Sequence, residues 1–130
     1  DKALEYATKQ LENQAALNKF KEFVAAQGGD VRCIEDYLYF KQAAHSYQLV
    51  STHQGTIKKV KALQIGHAAM LLGGGRQSKE DVIDMSAGIV LKVKTKDTIC
   101  VGEPLAVLYS DKPITDEIIH LVKNAFVIEN

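Results

Sequence analysis

A short helical segment that runs into three consecutive glycines and a charged loop, residues 65–84, constrains the fold of this chain more than any other stretch. Four apolar residues recur there at the spacing of one helical face: Ile65, Ala68, Ala69 and Leu72. The helix is predicted to end at the glycines that follow, Gly73, Gly74 and Gly75. Glycine adopts positive φ without a steric penalty and is therefore typical of helix C-termini. The charged loop after them carries Arg76 and Lys79, and apolar residues resume at Val82.

Short segments with the alternation of β-strands lie on both sides of this unit. Strands are predicted over residues 45–52 and 56–60 before it, and over 88–94, 98–101 and 105–109 after it. In the third of these, the pattern predicts that Ile89, Leu91 and Val93 face inward. A last helix capped by Thr115 and an edge strand over residues 126–128 complete the chain. The predicted fold class is α+β, a compact barrel-sandwich or hammerhead-like module of short strands with one or two helices.

The first 44 residues contain helical patterns and no predicted strand. Residues 3–11 form one helix, and Asn13 is a candidate cap for a second helix that Gly28 ends. The apolar face of the second helix comprises Leu17, Phe20, Phe23 and Val24. We interpret residues 1–44 as the helical tail of an α/β domain whose remainder is missing, and 45–130 as a C-terminal α+β domain. The start at Asp1, without a cap, favours a fragment of a longer chain.

Charge and composition restrict the partners. Lys and Arg together number 16, as do Asp and Glu, so the net charge is zero and a nucleic-acid or anionic-membrane partner is not expected. No apolar run approaches the roughly 20 residues that span a bilayer, and no signal peptide is evident. Cys33 and Cys100 indicate neither a disulfide framework nor a metal site. These features favour a cytoplasmic location.

The residues suggest no catalytic centre, metal site or cofactor site. A phosphate-cradling loop places glycines before a helix, whereas Gly73–Gly75 follow one, so a helix stop with a flexible joint is favoured over phosphate binding. The histidines lack the spacing of metal ligands: His45, His53, His67 and His120. No Ser-His-Asp or Cys-His arrangement is indicated.

One segment, Lys94–Leu105, resembles the hairpin of biotinyl and lipoyl carrier domains. Such carriers need a lysine at an exposed hairpin tip. The candidate is Lys112, which precedes Pro113 and a predicted helix. The pattern therefore disfavours a swinging-arm carrier, although a barrel-like scaffold agrees with it.

Several segments together resemble the C-terminal third of bacterial pyrimidine-nucleoside phosphorylases and thymidine phosphorylases. They are Ala16–Phe20, Ala26–Asp30, Ile65–Arg76, Lys79–Asp84, Gly88–Leu91 and Gly102–Leu105. The chain departs from the family pattern at Asn13–Ala15, where the family usually has Ser-Gly-Lys, and at Lys96, where it has glycine. Gly74 is commonly alanine in the family.

The resemblance implies a homodimeric enzyme with a helical domain, an α/β domain and this C-terminal domain. Its reaction is the reversible phosphorolysis of pyrimidine nucleosides, with phosphate as co-substrate and base and pentose 1-phosphate as products. The catalytic and phosphate-binding residues lie upstream, so no such residue is assigned here, and thymidine and uridine specificity cannot be distinguished.

For the loop, we hypothesise that residues 73–84 help to hold a closed state, with Arg76 or Lys79 making a polar contact across the cleft. A solvated connecting loop is the alternative. A different class of protein, a free-standing barrel-sandwich binding or carrier-like module, remains the second hypothesis.

Overall fold

The computed structural model describes residues 2–76 and 78–129, and its contacts divide the chain into two units, Asp1–Phe40 and Lys41–Asn130. This division lies a few residues before the boundary predicted from the sequence. The assignment of the first unit to an α/β domain stays a prediction.

The first unit is helical, as the sequence predicts. It comprises α1 (Lys2–Glu12), α2 (Ala15–Ala26), α3 (Arg32–Glu35) and a 3₁₀ turn (Tyr37–Tyr39). Asn13 Oδ1 accepts a hydrogen bond from Ala15 N at 3.0 Å, but the cap position itself is held by Gln14 in a left-handed conformation. Gly28 has φ +76°, and the N–H groups of Gly28 and Gly29 donate to Ala25 O and Val24 O. These two bonds form the Schellman motif that ends α2, so the predicted glycine stop is confirmed.

The second unit contains the strands and two further helices. In chain order they are β1 (His45–Val50), β2 (Gly55–Val60), α4 (Ala62–Ala69), β3 (Gly88–Leu91), β4 (Thr98–Ile99), β5 (Pro104–Ser110), α5 (Asp116–Lys123) and β6 (Phe126–Glu129). Within the described ranges the strands form two antiparallel three-stranded sheets, ordered β1-β5-β3 and β4-β2-β6. The predicted α+β class is confirmed. Across those same ranges the two sheets do not close into a barrel.

The two sheets and the two helices share one apolar core. Buried side chains come from both sheets, from α4 and the turn after it, and from α5: Leu49, Ile57, Ala68, Leu72, Ile99, Leu105, Ala106, Leu108, Ile118, Val122 and Phe126. Burial of these side chains removes apolar surface from water, the main favourable contribution to the stability of the unit. The predicted inward faces of α4 and α5 are confirmed by the burial of Ala68, Leu72, Ile118 and Val122.

Consecutive strands β1 and β2 do not pair with each other: β1 pairs with β5, and β2 pairs with β4 and β6. Two local expectations differ from the structure. Leu91 was expected to face inward but is 42% exposed at the end of β3, whereas Ile89 and Val93 pack against the core. Thr115 occupies the cap position of α5, but its side chain makes no capping hydrogen bond.

No helix within the described residues is both long enough and apolar enough to cross a bilayer.

Candidate functional site

The loop predicted from the sequence begins where α4 ends. A wide turn, Met70–Gly74, continues the helix and buries Leu72 in the core. Gly73 then takes φ +109°, and a Cβ built on it would lie 3.1 Å from Asp84 Cβ. The backbone conformation and the close approach both require glycine at this position. The backbone at Gly73 can therefore turn out of the helix and lie in close contact with Asp84 at the other end of the loop.

Asp84 closes the loop at its base. Its N–H donates to Gly73 O at 2.9 Å, and its carboxylate accepts hydrogen bonds from Asp111 N at 2.9 Å, Ser86 N at 3.0 Å and Ser86 Oγ at 2.6 Å. The Ser86 hydroxyl, together with the Asp111 and Ser86 amides, holds the pKa of the Asp84 carboxyl far below its ordinary value, because each donor stabilises the charged form. Asp84 is thus an ionised anchor that joins the loop to the end of β5.

Lys41 and Asp111 extend this anchor into a small charged cluster. The Lys41 ammonium pairs with the Asp111 carboxylate and lies 3.5 Å from Asp84 Oδ1. Ala44 N donates to Asp111 Oδ1 at 3.2 Å, and the Ser86 hydroxyl, whose single hydrogen is directed mainly to Asp84, lies 3.2 Å from the same oxygen. The Lys41 hydrogen bond lowers the pKa of Asp111, and the same bond raises the pKa of Lys41. One ammonium therefore offsets the repulsion of two neighbouring carboxylates.

A buried hydroxyl ties the same strand end to the helix end. Ser110 Oγ donates to Leu72 O at 2.7 Å and accepts from Lys112 N at 3.0 Å. Carbonyl groups in the last turn of a helix lack partners within the helix, so this bond satisfies one of them. The base of the loop is consequently fixed to the core by backbone and side-chain bonds.

The outer part of the loop is exposed. Arg76 and Lys79 lie in water, and neither forms an ion pair with any residue that the structure describes. A local bond pattern orders part of the tip, because Ser78 N and Ser78 Oγ both donate to the Asp81 carboxylate at 2.9 Å. Gln77 belongs to this loop but lies outside the described residues.

Two apolar side chains beside the anchor also face solvent. Val82 is 92% exposed and Met85 is 85% exposed, although the sequence pattern suggested that an apolar segment resumed at Val82. Asp84, which lies between them in the chain, is held by hydrogen bonds, and neither apolar side chain belongs to the core.

The structure thus brings together residues that the sequence pattern did not connect. The predicted residues Gly73, Gly74, Gly75, Arg76 and Lys79 share one loop, but the anchoring residues Lys41, Asp84, Ser86 and Asp111 were not foreseen. The Asp84-x-Ser86 spacing was a usable local signal, because aspartate commonly accepts a hydrogen bond from the backbone two residues later. Contacts of Asp84 with Asp111 and Lys41 span long sequence separations and leave no such signal.

Within the described ranges, no group of three or more His, Cys, Asp or Glu side chains is placed to hold a metal ion. Lys112, the carrier candidate, lies in the bend between β5 and α5, so it is not at a hairpin tip.

Comparison with known proteins finds a family model and several relatives that match this chain. The family model described as the pyrimidine nucleoside phosphorylase C-terminal domain matches residues 56–129. The chain is 42% identical over 109 residues to the pyrimidine-nucleoside phosphorylase of Bacillus subtilis (strain 168), which covers 84% of this chain and 25% of that protein. It is 35% identical over 129 residues to the enzyme of that name from Staphylococcus haemolyticus, with 99% of this chain and 30% of the relative covered.

A third relative, the pyrimidine-nucleoside phosphorylase of Geobacillus stearothermophilus, is 37% identical over 110 residues, or 85% of this chain and 25% of the relative. The chain therefore spans between a quarter and three-tenths of the length of these relatives. The resemblance found in the sequence motifs is confirmed. The chain belongs to the pyrimidine nucleoside phosphorylase C-terminal domain family.

Proposed function

We propose that this chain is the non-catalytic C-terminal domain of a pyrimidine-nucleoside phosphorylase. The full-length polypeptide catalyses the reversible phosphorolysis of pyrimidine nucleosides to free base and pentose 1-phosphate, with phosphate as co-substrate. The observation that carries this proposal is the family match over residues 56–129. The cluster at the loop base supports it, because its carboxylates and lysine are engaged with one another and with backbone amides.

The partner that we propose is an upstream α/β domain of the same polypeptide. In the first unit, an apolar groove of about 530 Å³ is lined by residues from α2, α3 and the turn that follows, including Leu17, Phe20, Val24, Ile34 and Tyr37. Phe20 is 52% exposed and the neighbouring Phe23 is 61% exposed. Several large apolar side chains exposed next to one another are typical of a surface that another domain covers. The greater length of the relatives supports a further domain as its occupant.

The loop of residues 73–84 is proposed to stabilise the closed state of that enzyme. Its base is anchored by the hydrogen bonds of Asp84, and its tip presents the cations Arg76 and Lys79 to solvent. The exposed apolar side chains of Val82 and Met85 lie on either side of the anchor. A fixed base with an exposed tip suits a contact made and broken as domains close and open. The competing function of the loop is a solvated connection between α4 and β3.

The full-length enzyme is proposed to be a cytoplasmic homodimer. The experiment that tests the proposal is a base-release assay on the full-length polypeptide that contains this chain. We expect uracil and ribose 1-phosphate from uridine, or thymine and deoxyribose 1-phosphate from thymidine, only when phosphate is present. Hydrolysis that proceeds equally without phosphate, or the absence of any base release, would contradict the proposed reaction. A covalent adduct on Lys112, detected by mass spectrometry, would instead favour the carrier-like module.

A further inference from the structure

A cavity of about 660 Å³ lies in the second unit, and no residue of the 73–84 loop lines it. It is lined by the segment after β1, by Lys61 and Gln64 at the start of α4, and by residues at the end of α5 and in β6. Its lining includes the apolar side chains of Leu105 and Phe126, both buried. The cavity is therefore distinct from the candidate closure loop.

The charge of the lining has one sign. Lys61 and Lys123 line the cavity, and the lining contains no aspartate or glutamate. Within the described part of the chain, neither lysine forms an ion pair. Lys61 Nζ donates one hydrogen bond, to Asn124 O at 3.2 Å. An ammonium group has three N–H donors, so two remain for an anion.

Gln64 supplies a second, independent observation. Its Oε1 is buried without a hydrogen-bond partner, and it is the one side-chain atom of this kind among the residues that the structure describes. A buried acceptor without a donor costs free energy, and such atoms in folded proteins call for a partner. Gln64 as a whole is only partly buried and lines the cavity, so rotation of its side-chain amide would present this oxygen to an O–H or N–H group of a ligand there.

The walls of the cavity are held by backbone hydrogen bonds. Ser51 N donates to Glu103 O at 2.8 Å, and Gly102 N donates to Ser51 O at 2.8 Å. On the other side, Lys61 N donates to Ala125 O at 2.8 Å. A cavity with fixed walls loses little conformational entropy when a ligand binds.

We propose that this cavity binds a small organic phosphate monoester that carries hydroxyl groups. Lys61 and Lys123 bind the doubly charged phosphate, a hydroxyl group donates to Gln64 Oε1, and the carbon skeleton lies against Leu105 and Phe126. Lysine binds phosphate as a point charge, and two lysines match a dianion. A bare phosphate ion would leave the apolar surface and the glutamine oxygen without contacts.

The test is an NMR titration of the isotope-labelled 130-residue chain with ribose 5-phosphate, inorganic phosphate and succinate. We expect saturable shifts of backbone amides in residues 50–53, 61–64 and 123–128 with ribose 5-phosphate, and affinity about tenfold weaker for inorganic phosphate, which lacks the hydroxyl and carbon contacts. Shifts that do not saturate, or that scatter over the lysines of the whole surface, would overturn the site. Equal affinity for succinate would overturn the phosphate assignment.

Matched lysine variants distinguish binding in the cavity from a general attraction of the phosphate to the positive charges of the surface. Lys61→Met is expected to weaken ribose 5-phosphate binding about tenfold, because one charge-assisted hydrogen bond is lost. Lys59→Met removes the same charge from an exposed position of β2 outside the cavity and should change the affinity by less than about twofold. Equal losses in the two variants would contradict the proposal. If Lys61→Met perturbs the fold, Lys123→Met provides the same comparison.

Discussion

At the scale of single residues, two positions share a left-handed backbone conformation, and only one of them carries the residue that suits it. Gly73 and Lys96 both have positive φ, +109° and +81° respectively. The first is glycine, which suits this conformation, and the second is not. Lys96 is also the position at which the sequence departs from the glycine of the family pattern. The structure gives that departure a physical cost, because a Cβ is disfavoured in this region.

Replacing Lys96 with glycine is expected to stabilise the chain. Relief of the left-handed strain outweighs the larger entropy of glycine in the unfolded state, for a gain of about 0.5–1 kcal/mol in the free energy of unfolding. Urea denaturation measures the change. Lys94→Gly is the control, since Lys94 has no positive φ and the substitution should destabilise by a similar amount. Equal destabilisation by both substitutions would refute the strain at Lys96.

Replacing Gly73 with alanine is expected to destabilise the second unit by about 2 kcal/mol or more. The new methyl group would meet Asp84 Cβ at 3.1 Å, and φ +109° is unfavourable for alanine. Thermal denaturation gives the measurement. Gly88→Ala is the matched control, because nothing lies within 4 Å of a Cβ there and its φ is not positive. A Gly73→Ala variant as stable as Gly88→Ala would show that the loop base can relax.

At the scale of elements, local patterns predicted where the helices and strands lie but did not indicate how the strands pair. The apolar periodicity of α4 and α5 and the glycine stops at Gly28 and Gly73 reflect interactions within a few residues. Pairing of β1 with β5 joins positions such as Tyr47 and Leu108, which no local pattern connects. The exposure of Leu91 has a similar origin. The alternation of apolar and polar residues in β3 indicates which side chains share a face of the sheet, but it does not indicate that Leu91, at the end of the strand, lies where the core no longer covers that face.

The Asp84 anchor has an expected pH dependence. The folded-state pKa of Asp84 is lowered, so its contribution to stability is present above the unfolded-state value of about 3.9 and is lost as the pH falls through the folded-state pKa. Asp84→Asn should therefore be less stable than the parent near neutral pH, and the difference should shrink as the solution is acidified below about pH 4. Thermal denaturation at a series of pH values measures this.

The control for that series is Glu80→Gln, an exposed carboxylate in the same loop. It should follow the parent at every pH. A constant difference between Asp84→Asn and the parent across the acid range would show that the charge of Asp84 is not what stabilises the loop base.

At the scale of the whole molecule, the sequence motifs identified the family but could not place the loop. The family assignment rests on motifs from both units, and it implies an enzyme with domains outside this chain. The role that we propose for the 73–84 loop depends on groups in the proposed upstream domain, so neither local patterns nor the fold of this chain determines what the loop contacts.

Arg76→Ala in the full-length enzyme tests that role. If Arg76 makes a polar contact in the closed state, kcat/KM for uridine should fall about tenfold, the effect of one charge-assisted hydrogen bond. Lys92→Ala removes an exposed cation after β3 and should leave the kinetics unchanged. Steady-state kinetics with the two variants gives the comparison. Unchanged kcat and KM for Arg76→Ala would leave the loop as a simple connection.

The central claim is that this chain supports catalysis without performing it. The most direct measurement is uracil release from uridine and phosphate by the isolated 130-residue chain, with the full-length polypeptide assayed in parallel. We expect turnover by the full-length protein and none by the chain alone. Phosphate-dependent uracil release by the isolated chain would contradict it, since the reacting groups would then lie within these residues.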